Sequence, residues 1–211
     1  MKEKLKEIVE EIIDESKIVL VLTKPELRSM VGYAIVAELL KNQDVSGLYI
    51  ALNVPHSTVE KKIKKLGGDP SRIFFIDCIT ASIKPVEGKD NVIYLDSPRL
   101  MLLEGAIRHG LRMLNGERNF VYIESISTFL AYNSYQAFIK FLRSITNEIR
   151  LYGLVGIIFM LDKELEEVEF SQATTFVDDI MDLRHLTICL LYTSDAADDM
   201  QCVDLGGRRI I

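Results

Sequence analysis

Six short runs in this chain are apolar on both of their faces, and this pattern constrains the fold more than any other feature. They are Ile18–Leu22, Gly47–Leu52, Arg72–Asp77, Asn91–Leu95, Phe120–Ile123 and Leu154–Met160. A strand with one face in water alternates apolar and polar residues, whereas a strand covered on both sides does not. The stretches between the runs have helical periodicity instead. Over Ser57–Leu66, Val59, Ile63 and Leu66 share one face, Lys61, Lys62, Lys64 and Lys65 point to solvent, and Gly67-Gly68-Asp69-Pro70 stops the helix. Pro98 opens a helix with Leu100, Leu103, Ile107, Leu111 and Leu114 inward, and Asn115-Gly116 ends it. Ser134–Arg150 turns Phe138, Leu142, Ile145 and Ile149 to one side. Strand and helix alternating at this spacing predict an α/β layer architecture, a mostly parallel sheet and right-handed crossovers. An amphipathic helix over residues 3–15, with Leu5, Ile8, Ile12 and Ile13 on one side, is expected to cover one face.

The chain's 211 residues suffice for one substantial core. A formal charge of −6 gives no general attraction to nucleic acid or anionic membranes. Cys78, Cys189 and Cys202 have neither metal-ligand spacing nor a disulfide framework. The longest apolar run, Leu151–Leu161, is too short to span a bilayer. A cytoplasmic protein without membrane or nucleic-acid partners is expected.

Ligands of such sheets bind beyond the carboxyl ends of the strands. The positions to inspect are therefore 23–30, 53–57, 78–82, 96–98, 124–128 and 161–163. The first is the most telling. KIVLVLTKPELRSMVGYAIVAELL at 17–40 reads as strand, connector and strongly apolar helix, the setting of a nucleotide-binding loop. Such a loop, GxxxxGK[ST], needs glycines so that consecutive N–H groups wrap the phosphates, a lysine for the terminal phosphates, and a hydroxyl for magnesium. In the eight residues Thr23–Met30, Thr23 and Arg28 stand at the glycine positions, Ser29 at the lysine and Met30 at the hydroxyl residue. Arg28 and the first turn of the helix keep some capacity for an anion. The helix itself, with Val31, Ala34, Ile35, Val36, Ala37, Leu39 and Leu40, is apolar nearly all round and reads as centrally buried.

At the other strand ends, Glu124 follows an apolar run where an acid would hold a magnesium-bound water, or else pairs with Ser127 or a loop N–H. Asn53 and Val54 occupy the place of a general base, and neither accepts a proton at neutral pH. His56 begins a helix and reads as a surface or capping residue. His109 is expected to be exposed, and no two histidines have ligand spacing. Cys78 reads as a small buried hydrophobe. The sequence thus nominates no catalytic residue and no metal ligand.

These segments together carry a family resemblance. KIVLVLTKPELRSMVGYAIVAELL, GLYIALNVPHSTVEKKIKKLG, RIFFIDCIT, NFVYIESISTFLAYNS and FVDDIMDLRHLTI are similar, in order and spacing, to RecA-superfamily ATPases of the KaiC and gas-vesicle group, especially small archaeal members. The resemblance implies a three-layer RecA-like P-loop NTPase fold with a mostly parallel central sheet, ATP at the strand carboxyl ends, and ring or filament assembly. Carried over by position, the phosphate-binding lysine falls on Ser29, the magnesium hydroxyl on Met30, the acidic pair on Asn53 and Val54, and the Walker B acid on Glu124. Only Glu124 keeps a carboxylate, so the phosphate loop is degenerate. The expectation is a non-catalytic domain, regulatory or used for protein interaction or self-association, without a cofactor. The alternative is weak binding of ATP or another anion at Thr23, Arg28, Ser29, Met30, Asn53 and Glu124, with little or no hydrolysis. Residues 1–188 form the expected domain. The tail 189–211 continues none of the earlier periodicity and resembles translated sequencing-adapter or vector sequence; it is expected to be non-native or loosely ordered.

Overall fold

A computed structural model describes Val9, residues 17–161 and 165–184, and the backbone of 187–188 and 203–204. Seven strands form one parallel sheet: β1 (Ile18–Thr23), β2 (Val45–Ala51), β3 (Ile73–Asp77), β4 (Val92–Tyr94), β5 (Arg118–Ile123), β6 (Val155–Leu161) and β7 (Asp179–Asp182), in the order β4-β3-β2-β5-β6-β1-β7. The helices are α1 (Pro25–Leu39), α2 (His56–Lys65), α3 (Thr80–Ile83), α4 (Leu100–Met113), α5 (Ile126–Tyr132), α6 (Tyr135–Leu151) and α7 (Glu167–Thr174). Thr187–Ile188 and Val203–Asp204 form a separate antiparallel pair. The expected helix over 3–15 lies outside the described residues except for Val9, which is buried. The character of the tail 189–211 likewise lies outside them, apart from the 203–204 backbone.

The two-sided apolar runs make two cores. Val19, Val21, Tyr49, Phe75, Tyr122 and Phe159 face one layer, with Ile35 and Val36 of α1 and Val59 and Ile63 of α2. Their strand neighbours Ile18, Leu20, Leu48, Phe74, Val121 and Ile158 face the other, with Leu103 and Ile107 of α4 and Phe138, Leu142, Ile145 and Ile149 of α6. Each fully buried large side chain contributes about 1.5–3 kcal/mol. The central sheet is thus the middle of a three-layer α/β/α arrangement, and its seven strands are all parallel.

Crossover direction explains which helix covers which face. From β1 the chain moves through α1 to β2, then outward to β3 and β4, with α1 and α2 on the first face. It returns through α4 to β5, and through α5 and α6 to β6, with those helices on the second face. A single crossover hand requires this change of face when the direction of travel reverses. Outgoing and returning connections part at β2 and β5, which are neighbours, so a crevice opens beyond their carboxyl ends.

Four aromatic rings form a row across the first face. Tyr122 stacks on Tyr49 with centroids 4.5 Å apart, with Phe159 5.4 Å beyond Tyr122 and Phe75 5.7 Å beyond Tyr49. The Tyr122 hydroxyl reaches helix α1 at Gly32, where an added Cβ would lie 2.0 Å from its oxygen. The helix can lie this close only because Gly32 has no side chain. G32A should therefore destabilise the fold by about 1–3 kcal/mol in denaturant unfolding, as overpacking does. Y122F, which removes the clashing oxygen, should recover part of the loss in the double variant.

Candidate functional site

The strand ends β1, β2 and β5 bring together most of the residues nominated by the sequence, but the β1–α1 junction is not a loop. Helix α1 starts at Pro25, so Lys24 alone connects it to β1. The eight-residue connector expected at Thr23–Met30 is corrected accordingly: Thr23 ends the strand, and Arg28, Ser29 and Met30 lie in the first turns of the helix. Proline at the first helical position favours this course, with its φ pre-set and its missing N–H unneeded there. The same geometry works against phosphate. Pro25 has no N–H to offer, the Leu27 and Arg28 N–H groups both donate to the Lys24 carbonyl oxygen, and Glu26 adds a carboxylate to the first turn. The buried Thr23 turns its hydroxyl onto the Lys24 carbonyl oxygen.

Glu124 spans the crevice between β2 and β5. Its Oε2 accepts the N–H groups of Leu52 and Asn53 at 2.7 and 2.8 Å, while its own N–H continues the ladder to Ile50. The side chain is 3% exposed. Burial raises its carboxyl above the usual range, and the N–H groups of Asn53 and Leu52 and the nearby Arg28 charge oppose that rise. One carboxylate oxygen, Oε2, is thus engaged by the segment that follows β2. Among the described residues no cluster of three or more metal-binding side chains occurs.

Arg28 reaches across from α1. Its Nη1 donates to Ser125 Oγ at 3.3 Å, and Ser125 Oγ lies 2.9 Å from Ser127 Oγ. Asn53 Oδ1 accepts from the Thr128 hydroxyl. Two donors at this place remain buried and unpaired: Arg28 Nε and Asn53 Nδ2. Ser29 stands one helical turn from Tyr33, whose hydroxyl is pushed up to about 12 by burial and by the Glu124 charge. Met30 is half-buried on the same helix. Arg28, Asn53 and Glu124 therefore converge, while Thr23, Ser29 and Met30 belong to the strand–helix junction beside them.

Two other strand-end residues differ in outcome. Cys78 is buried in the second core, where burial and the Asp77 charge push its thiol up to about 12, so it stays protonated and unreactive. His56, expected at the surface, is only 4% exposed and bonded to Asp77. Sequence reading missed this pair because the partners lie 21 residues apart on different strand ends. A Thr three residues after Asp77 was the available signal, since such an aspartate caps the next turn.

No protein-family profile matches the chain, and no curated protein matches it. Solved structures do. A crystal structure of a KaiC-like protein from the hyperthermophilic archaeon Pyrococcus horikoshii OT3 superposes with a TM-score of 0.57 at 11% identity, over 87% of this chain and 79% of that one. The fold is RecA-like. A second solved structure, an ATPase domain, superposes with a TM-score of 0.55 at 13% identity, over 82% of this chain and 70% of that one. No helix among the described residues is long and apolar enough to cross a membrane.

E124A should cost about 2–4 kcal/mol in denaturant unfolding, because it leaves the Leu52 and Asn53 N–H groups unpaired in a buried place. A carboxyl raised in the folded state binds its proton more tightly there than in the unfolded chain. Its contribution to stability accordingly declines as pH rises from the ordinary carboxylate value to the raised one. E124Q should flatten the stability profile over that interval.

Proposed function

We propose that this chain is a non-catalytic RecA/KaiC-like domain that acts as a regulatory or protein-interaction module. The β1–α1 junction carries the reading. Where a phosphate loop would wrap an anion in consecutive N–H groups, one residue joins strand to helix and proline opens that helix. The remaining requirements are missing at the same place. Ser29 and Met30 stand in helical turns, Asn53 offers no base, and Glu124 Oε2 is engaged by the Leu52 and Asn53 N–H groups after β2. The RecA-like sheet then serves as a rigid support for a binding surface. Ile83, Met101, Leu102 and Tyr132 are exposed apolar residues on α3, α4 and α5, the helices that follow β3, β4 and β5. Asn133, next to Tyr132, ties α5 to the start of α4 by accepting the Leu100 N–H and donating to the Pro98 carbonyl oxygen. A protein partner or a second copy of the chain is the ligand class such a surface suits.

A second reading has a specific observation in its favour. Arg28 Nε and Asn53 Nδ2 are buried donors without acceptors, and an anion at the crevice would satisfy both. This would be weak binding of ATP or another anion, with little or no hydrolysis.

Calorimetric titration with ATP and GTP, each with and without Mg²⁺, separates the two. The expected result is no binding at micromolar nucleotide and no phosphate release. Micromolar binding that R28Q abolishes would overturn the first reading in favour of the second. Sedimentation over a range of concentrations tests self-association. A mass that rises with concentration and falls in M101E identifies a second copy as the partner, and a constant monomer mass directs the search to a different protein.

A further inference from the structure

Asp77 ends β3 with a fully buried carboxylate that collects donors from two helix starts. Its Oδ1 accepts the Ile79 and Thr80 N–H groups, each at 2.9 Å. Its Oδ2 accepts the Thr80 hydroxyl at 2.7 Å and the His56 N–H at 2.9 Å, with His56 Nδ1 at 2.8 Å. Burial pulls this carboxyl upward, but the donors of Thr80 and His56 outweigh it and hold it below the usual range. Asp77 is therefore an acceptor only, which makes Nδ1 a donor. The His56 ring is fixed by its neighbours, edge-on to Tyr94 at 5.4 Å and tilted against Phe75 at 5.8 Å.

The other ring nitrogen, Nε2, lies 3.2 Å from Lys89 Nζ. A lysine ammonium can only donate, so Nε2 is the acceptor and the tautomer follows. Lys89 is an exposed residue, and its backbone is held by a bridge to Val92. The other charged or titratable groups around the ring, among the described residues, include Asp77 at the end of β3, Tyr94 on β4, and Glu60 one turn further along α2, close enough to act on Tyr94. A carboxylate, an imidazole and an amine thus stand in series, the order in which a carboxylate and a base activate a nucleophile.

We propose that Lys89 is a preferred acylation site, with His56 as its general base, Asp77 as the positioning residue behind the ring, and an acyl thioester as the donor. The Lys89 ammonium passes one proton to His56 Nε2, and the Asp77 carboxylate faces the imidazolium so formed. The neutral amine attacks the acyl carbon, forming a C–N bond. As the adduct collapses the C–S bond breaks, the thiolate takes the proton held by His56, and the second nitrogen proton goes to water. The products are an amide, a thiol and one proton, with no change in oxidation state. Lysines such as Lys61, Lys64 and Lys84 are exposed and have no imidazole partner among the described residues, so they serve as internal references.

The test is incubation of the full chain with acetyl-coenzyme A, following acetylation of each lysine by mass spectrometry. Lys89 is expected to react at least about tenfold faster than Lys61, Lys64 and Lys84, a modest part of what a positioned base supplies. H56N keeps an N–H donor for Asp77 but removes the base, and should bring Lys89 to the reference rate without altering the others. The wild-type chain provides a check that no variant can disturb. Equal rates for Lys89 and Lys61 in the wild type, or a Lys89 rate that H56N leaves unchanged, would overturn the proposal.

Discussion

A parallel sheet with helices on both sides has no face to leave in water, and the rest of this molecule follows from that constraint. Each strand must supply apolar residues in both directions, as β1 does with Val19 and Val21 on one side and Ile18 and Leu20 on the other. Helices must then cover both layers, and the fixed crossover hand assigns α1 and α2 to one layer and α4 and α6 to the other. Where outgoing and returning connections part, between β2 and β5, the coverage leaves a crevice. The fold positions its polar groups there.

In this chain the crevice is filled from within. Glu124 closes it by accepting two N–H groups of the segment after β2, Arg28 crosses from α1 to Ser125, and Asn53 takes a hydroxyl from Thr128. Each contact satisfies a group that burial would otherwise penalise by about 1–3 kcal/mol. The fold is RecA-like, and the polar groups beyond the ends of β2 and β5 mostly bind one another. At the end of β3 the same economy yields something different. Asp77 organises the starts of two helices, and in doing so it aims one nitrogen of a buried histidine at a surface lysine.

Much of the fold was legible in the chain. The six apolar runs coincide with β1 to β6 to within two residues at each end; Val59 and Ile63 of α2 and the inward face read for α6 are buried, while Leu66 just past α2 is half-buried. These features were readable because periodicity is local: a side chain's direction follows from its own strand or helix. The β1–α1 junction was misjudged for a local reason as well. Pro25 followed by Glu26 is itself a helix-start signal, and it outweighs the connector expected over Thr23–Met30. Helix α5 and helix α7 gave weaker signals, being short and mixed in character.

The sequence by itself determined the layer architecture, the parallel sheet and the absence of a glycine-rich phosphate loop, since each depends on residue type and spacing over a few turns. Only the tertiary structure decided what the polar residues at the strand ends do. Arg28 meets Ser125 across 97 positions, Glu124 meets Leu52 across 72, and His56 meets Asp77 across 21. No local pattern encodes such pairings. They arise because neighbouring strands in the sheet are distant in the chain, and because buried charges and amides must find whichever partners the packed strand ends bring within reach.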